Sequence, residues 1–282
     1  MCFFLTKYDS NKPQANQQTP GKNMRLFKIK IKFIYNIQMY TNYCNYINEV
    51  CRTGNLSNFK NNSNYTSILE HLSSRQGTLF LDAIREKSSI TDEEIKSFSL
   101  LNDSVGNPNK SAFGSLFISP SNLRYIYHTH IILKYLGELK LSAVNIVEVG
   151  GGYGGLCLAM HHFARFYNIN INSYTMIDLK DISNLQQQYL AKVNPLIKAD
   201  FVDAATFGAD IKTTNLFLIS NYCFSEIDKK AQELYITNLF PKVSHGFLAW
   251  NAIPTYNFGF ATKIEDEYPK YGDWPFNKYV TF

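Results

Sequence analysis

Eight consecutive residues carry the strongest chemical signal in the chain: Glu148-Val149-Gly150-Gly151-Gly152-Tyr153-Gly154-Gly155. They follow the β-branched run Val144-Asn145-Ile146-Val147 and precede a stretch from Leu156 to Tyr167 that reads as a helix. Five glycines in six positions let a backbone approach a bound ligand closely, and a helix starting there offers unpaired N–H groups beside it. A turn that only had to be tight would not need so many. The chemistry expected is therefore that of a nucleotide-type cofactor. Two spacings are satisfied at once. Gly150, Gly152 and Gly155 fit the G-x-G-x-x-G of dinucleotide folds, while Gly150, Gly152 and Gly154 fit the G-x-G-x-G of loops that bind S-adenosylmethionine. Glu148, two residues before the first glycine, and the long segment upstream of the loop favour the methyl donor. The expected cofactor contacts are Glu148, Gly150, Gly151, Gly152 and Gly154.

Further carboxylates and amides fall at the ends of later apolar runs. Ile171 to Ile177 reads as a second strand ending in Asp178, 28 positions after Gly150. A carboxylate there can accept two ribose hydroxyls, or simply cap the following turn. Asp200 or Asp203, near the end of a weaker run from Ile197 to Val202, can reach an adenine amino group; Asp203 is taken as the candidate. Leu216 to Ser220 runs into Asn221, Tyr222, Ser225 and Glu226, and Gly246 to Trp250 runs into Asn251. Asn221 and Tyr222 are counted with the cofactor contacts. Methyl transfer to an alcohol needs alignment, desolvation and a proton acceptor. Glu226 is a candidate general base or metal ligand, and equally a favourable charge at a helix start. His128 and His130 sit on a predicted helix upstream of the first strand. His128 is the second catalytic candidate, and Arg124 and Tyr125 on that helix can contact cofactor or acceptor. No metal ligand set stands out, so a divalent ion is possible without being indicated.

The elements that must position these residues alternate. Helices are expected from Ile182 to Val193 and from Lys229 to Phe240, between the strands named above. Strands and helices alternating over this length imply a parallel sheet covered on both faces. Runs near Phe260 to Ile264 and Lys278 to Phe282 can add an antiparallel hairpin at its edge. Upstream, residues 66–101 look helical, with Thr66 as a possible cap and Thr91 and Glu94 at capping-box spacing. Asp103 to Pro120 reads as loop, and Asn122 to Leu139 as helix. The fold class expected is α/β, a class I methyltransferase Rossmann-like sheet with an antiparallel edge hairpin, preceded by a helical extension. The organisation expected is a poorly ordered or loosely attached leader over 1–46, a helical cap over 47–140 and a cofactor-binding domain over 141–282. Within the leader, Arg25 to Phe33 alternates like an edge strand.

These residues resemble the sugar O-methyltransferase family. The resemblance rests on Val147 to Gly155, on Tyr174-Thr175-Met176-Ile177-Asp178-Leu179, and on Ser220-Asn221-Tyr222-Cys223-Phe224-Ser225-Glu226. Asn58-Phe59-Lys60-Asn61, Gly106-Asn107-Pro108, Ser119-Pro120 and Leu123-Arg124-Tyr125 are similar to that family's lead-in. It covers roughly residues 58–282, and implies S-adenosylmethionine-dependent methyl transfer to a sugar hydroxyl, free, nucleotide-linked or in a glycan. Two other readings stay open: an NAD(P)-dependent oxidoreductase, and a catalytically silent scaffold of the same fold.

Composition narrows the partners. The net charge of +5 is mild, and the one dense basic stretch, Lys22 to Lys32, lies outside the expected catalytic region. The fourth-strand stretch also lacks the Asp/Asn-Pro-Pro-aromatic motif of enzymes that methylate amino groups of bases. A nucleic-acid acceptor is not expected. Five scattered cysteines with no C-x-x-C pair suit a reducing compartment, and no run reaches the roughly 18 apolar residues of a membrane span. A cytoplasmic protein is expected, with no membrane span; the sequence leaves its oligomeric state open.

Overall fold

The computed structural model describes residues 38–270 and 275–282. Helix α1 occupies residues 38–53. Its buried Tyr40, Tyr43, Ile47 and Val50 recur at helical spacing, so one stripe faces the core. The boundary expected between residues 46 and 47 falls inside this helix, and the strand-like run Arg25 to Phe33 lies outside the described residues. A single helical turn, α2 (Ser63–Thr66), follows. Its cap is Asn62, whose side chain accepts the Asn64 N–H; Thr66, the expected cap, is its last residue. Helices α3 (Ser74–Lys87) and α4 (Asp92–Asp103) both start with capping boxes, Ser73 with Gln76 and Thr91 with Glu94. The segment read as loop after Asp103 contains a small hairpin, β1 (Ser111–Phe113) and β2 (Leu116–Ile118), with Gly114 at φ +62° in its two-residue turn. Its strands are so short that the surrounding Gly, Asn and Ser hid them.

Helix α5 (Pro120–Glu138) is buried around most of its surface, because it lies between the N-terminal helices and the sheet. The sheet then builds by alternation: β3 (Ala143–Val149), α6 (Gly155–Phe163), β4 (Asn170–Asp178), α7 (Lys180–Val193), β5 (Ala199–Asp203), β6 (Leu216–Asn221), a one-turn α8 (Cys223–Glu226), α9 (Lys229–Asn238) and β7 (Val243–Trp250). The tail contributes β8 (Lys263–Asp266) and β9 (Lys278–Thr281). The seven strands lie in the order β5-β4-β3-β6-β7-β9-β8. β3 to β7 pair in parallel, and β9 runs antiparallel between β7 and β8. The expected edge hairpin is there, with its first strand later than Phe260 to Ile264.

Apolar side chains fill both faces of the sheet. One core joins α1, α3, α4, α5, α6 and α7 to one face, and a second packs Ala231, Tyr235, Phe240 and Phe258 on the other. The helical extension and the sheet therefore share a core. Sheet order reverses at β3, where the chain goes first to β4 and β5 and then back across to β6. That reversal opens a crevice at the C-terminal strand ends.

Candidate active site

The glycine loop turns sharply off β3. Gly150 donates its N–H to the Ile177 carbonyl at 3.0 Å and has φ +78°. A Cβ there would lie 2.3 Å from the Cys223 Sγ, so the residue is fixed as glycine by both conformation and space. At Gly152, φ is +58° and a Cβ would meet Leu69 at 3.1 Å. Helix α6 opens at Gly154 with no side-chain cap, leaving its first N–H groups without a side-chain acceptor.

Two acids flank the loop. Glu148 is fully buried, and its Oε2 accepts the Tyr174 hydroxyl at 2.8 Å. Burial, opposed by that hydrogen bond, pushes its carboxyl up to about 8. Asp178 ends β4. Its Oδ1 accepts the Leu179 N–H and its Oδ2 accepts Gln186 Nε2, each at 2.9 Å. The same Gln186 nitrogen donates to the Gly152 carbonyl at 2.9 Å, tying the acid to the loop. Sequence reasoning missed Gln186. Its signal was a polar residue at the buried phase of α7, beside Ile182, Leu185, Tyr189 and Leu190.

The end of β6 forms the other wall. Tyr222 stands at φ +67°, unusual for a bulky residue, and is held there by its N–H to the Ala249 carbonyl at 2.7 Å. Its hydroxyl donates to Glu267 Oε1, and the Asn277 amide donates to Glu267 Oε2. Burial pushes the Glu267 carboxyl up. His128 on α5 packs against Tyr222; its Nδ1 lies 3.0 Å from Asn221 Nδ2 and its Nε2 3.4 Å from the Tyr222 hydroxyl. Desolvation, then the nearby Arg124 charge, hold His128 well below its ordinary pKa, so the ring is neutral. With the Asn221 amide donating to Nδ1, the proton sits on Nε2 and points at the Tyr222 oxygen. The Arg124 guanidinium lies 5.6 Å from the centre of the Tyr222 ring. Ser225 Oγ donates to Asn251 Oδ1, and Asn251 Nδ2 donates to Glu226 Oε1, both at 2.6 Å.

These walls enclose a cavity of about 300 Å³. Of the residues expected from the sequence, Glu148, Gly150, Gly151, Gly152, Asp178, Asn221, Tyr222, Glu226 and His128 line it. Arg124, Tyr125 and Asn251 do too. Gly154 lies beyond the lining, starting α6 beside Leu190. Asp203 is exposed and is not among the lining residues, although it pairs with Asp178 across β4 and β5; its carboxylate accepts the Ala205 N–H at 2.9 Å and caps a short turn. His130 pairs with the Tyr167 hydroxyl instead of facing the cavity. Across the top lie Met39, Tyr40 and Tyr43 of α1 with Ile68 and Leu69. Among the described residues, no three His, Cys, Asp or Glu side chains are grouped to hold a metal ion. No helix among them is long and apolar enough to cross a membrane.

The architecture is a Rossmann-like α/β fold: a mostly parallel seven-stranded sheet with one antiparallel strand next to its edge. No family model matches the chain, and no curated protein matches it. Solved structures with a similar fold include an S-adenosylmethionine-dependent methyltransferase from Clostridium acetobutylicum, at 11% identity and TM-score 0.37, over 44% of this chain and 49% of that one. Another is the methyltransferase domain of bacterial CtHen1, at 8% identity and TM-score 0.41, over 55% and 95%. A third is CalS10, an amino pentose methyltransferase from Micromonospora echinaspora, at 10% identity and TM-score 0.37, over 46% and 52%. The aligned part spans about half the length of the first of these.

Proposed function

We propose that the chain is an S-adenosylmethionine-dependent O-methyltransferase acting on a sugar hydroxyl, free, nucleotide-linked or within a glycan. One observation carries this reading: a single cavity joins Glu148, Gly150 to Gly152 and Asp178 at two adjacent strand ends to Asn221, Tyr222 and Glu226 at the third. The residues fit the cofactor. A Cβ on Gly151 would crowd Met176, Glu148 and Gln186 at 3.1 to 3.3 Å, so the bare loop backbone packs close to these side chains and lines the cavity with Glu148 and Asp178. At about 300 Å³ the cavity lies at the small end of ligand pockets.

When bound, the cofactor supplies a methyl group on a sulfonium, an activated carbon open to in-line displacement. The protein's own residues do the rest. Asp178, held by Leu179 and Gln186, accepts the ribose hydroxyls. Glu148 and the loop backbone line the amino-acid end. Neutral Asn221 and Asn251 amides and the Glu226 carboxylate offer several hydrogen-bond partners to a polyol on the acceptor side. Glu226 is the sequence-derived candidate for taking the acceptor's proton or holding a divalent ion. His128, with both ring nitrogens engaged, orients Asn221 and Tyr222. Turnover of labelled methyl donor against a panel of nucleotide sugars and glycans, with and without magnesium, tests the reading. Methyl ethers on a sugar are the expected product. Methylation of amines only, or of nucleic acid, would overturn the acceptor assignment.

A further inference from the structure

The tail of the chain reaches the transfer site through a buried hydrogen-bonded chain that the sequence did not disclose. Glu267 follows β8 and is 2% exposed. Tyr222, in a strained left-handed conformation at the end of β6, lines the cavity and donates its hydroxyl to this carboxylate. Strained backbone is retained where the surrounding structure over-determines it, and it clusters at functional sites. Among the described residues, the groups facing Glu267 are the Tyr222 hydroxyl from β6, the Asn277 amide ahead of β9 and the Arg124 charge from α5. Neutral His128 stands behind Tyr222. A phenol oxygen can accept one proton while giving up another, and this one already directs its own hydrogen at a carboxylate.

We propose that Tyr222 receives the acceptor hydroxyl's proton and passes its own to Glu267, so that the tail completes the transfer site. This rests on the O-methyl transfer reading above. The acceptor oxygen gains its bond to the methyl carbon as the bond from that carbon to sulfur breaks, with the electron pair staying on sulfur. The acceptor's proton moves to the Tyr222 oxygen, and the Tyr222 proton moves to Glu267 Oε1. Charge balances: the sulfonium becomes a neutral thioether and the carboxylate a neutral acid, which later releases its proton to water. Burial raises the Glu267 pKa and brings it closer to that of a useful proton acceptor. His128 fixes the phenol and Arg124 covers its face, so both are positioning residues.

The test compares Glu267→Gln, Tyr222→Phe and Glu226→Gln with wild type. Three readouts are taken: kcat against pH, S-adenosylhomocysteine affinity, and infrared titration of buried carboxyls in the cofactor-free protein. Glu267 must be ionised to accept, so wild-type kcat falls as pH drops through its raised pKa. Glu267→Gln is expected to lower kcat about 100-fold, in line with general-base contributions. It should flatten that acidic limb, remove one titrating carboxyl band and leave S-adenosylhomocysteine affinity within about twofold. Tyr222→Phe should shift the Glu267 band. Wild-type kcat and an intact acidic limb in Glu267→Gln would overturn the relay while leaving methyl transfer standing, as would loss of the limb in Glu226→Gln alone. Failure of wild type to methylate any hydroxyl is the failure of the activity reading. The infrared arm then decides by itself: a Glu267 band unmoved by Tyr222→Phe overturns the relay.

Discussion

Replacing Gln186 by leucine removes a side chain that connects Asp178 to the glycine loop. In wild type its Nε2 serves both Asp178 Oδ2 and the Gly152 carbonyl, while its buried Oε1 has no hydrogen-bond partner. Gln186→Leu strips the buried Asp178 carboxylate of a donor, at about 1–3 kcal/mol, and the half-buried Gly152 carbonyl of another at a smaller cost. It also removes the orphaned Oε1, returning about 1–2 kcal/mol of that cost. Leucine is close in volume and fits beside Leu185 and Leu190, so little packing is lost. The net cost is about 2 kcal/mol of folding stability. The larger effect falls on the cofactor, since Asp178 and Gly152 both line its cavity. Misplacing either by one hydrogen bond's worth, about 1.4 kcal/mol, is tenfold in affinity. Urea unfolding should therefore show a loss of about 2 kcal/mol, and calorimetry a 10- to 100-fold weaker S-adenosylhomocysteine complex. Unchanged affinity in a variant destabilised by that amount would refute the claim that Gln186 couples acid and loop.

Gly150→Ala is expected to cost about 2 kcal/mol or more by chemical denaturation, because the new Cβ meets Cys223 at 2.3 Å on a backbone at φ +78°. Adding Cys223→Ala should recover part of that loss but not the conformational share. For Glu148 the folded pKa is raised to about 8, so between roughly pH 4.5 and 8 the folded chain holds a proton that the unfolded chain has released. Stability of the cofactor-free protein, measured relative to Glu148→Gln, should therefore fall as pH rises through that window; a flat difference would contradict the assignment. Asp203→Asn should leave S-adenosylhomocysteine affinity within about twofold, since Asp203 caps its own turn outside the cavity. A tenfold loss there in calorimetry would return Asp203 to the adenine site.

Much of this site was written in residues whose type is dictated locally. Gly150 and Gly152 adopt positive φ, and β6 with the later, buried parts of β3 and β7 is largely apolar because both sheet faces are covered there. Those signals locate the loop and the strand ends without tertiary information. The roof was less visible. Tyr40, Tyr43, Ile47 and Val50 keep helical spacing, yet they are interspersed with Asn, Gln and Thr, and the apolar stripe gains meaning only against α7 and the cavity. Glu267 was invisible for a different reason. It lies 45 residues after Tyr222 in a polar, proline-containing tail, and only the insertion of β9 between β7 and β8 brings the two together. Asp203 shows the converse. A carboxylate at a strand end also serves as a cap, and spacing alone does not say which role the fold selects.

The central claim is that the cavity at the ends of β3, β4 and β6 receives S-adenosylmethionine. Calorimetric titration of the purified chain with S-adenosylhomocysteine and, separately, with NADH tests it most directly. Saturable one-to-one binding of S-adenosylhomocysteine is expected, abolished by Gly152→Trp in a chain that stays folded, with no heat from NADH. Tight NADH binding with none for S-adenosylhomocysteine, or S-adenosylhomocysteine binding that survives Gly152→Trp, would contradict it.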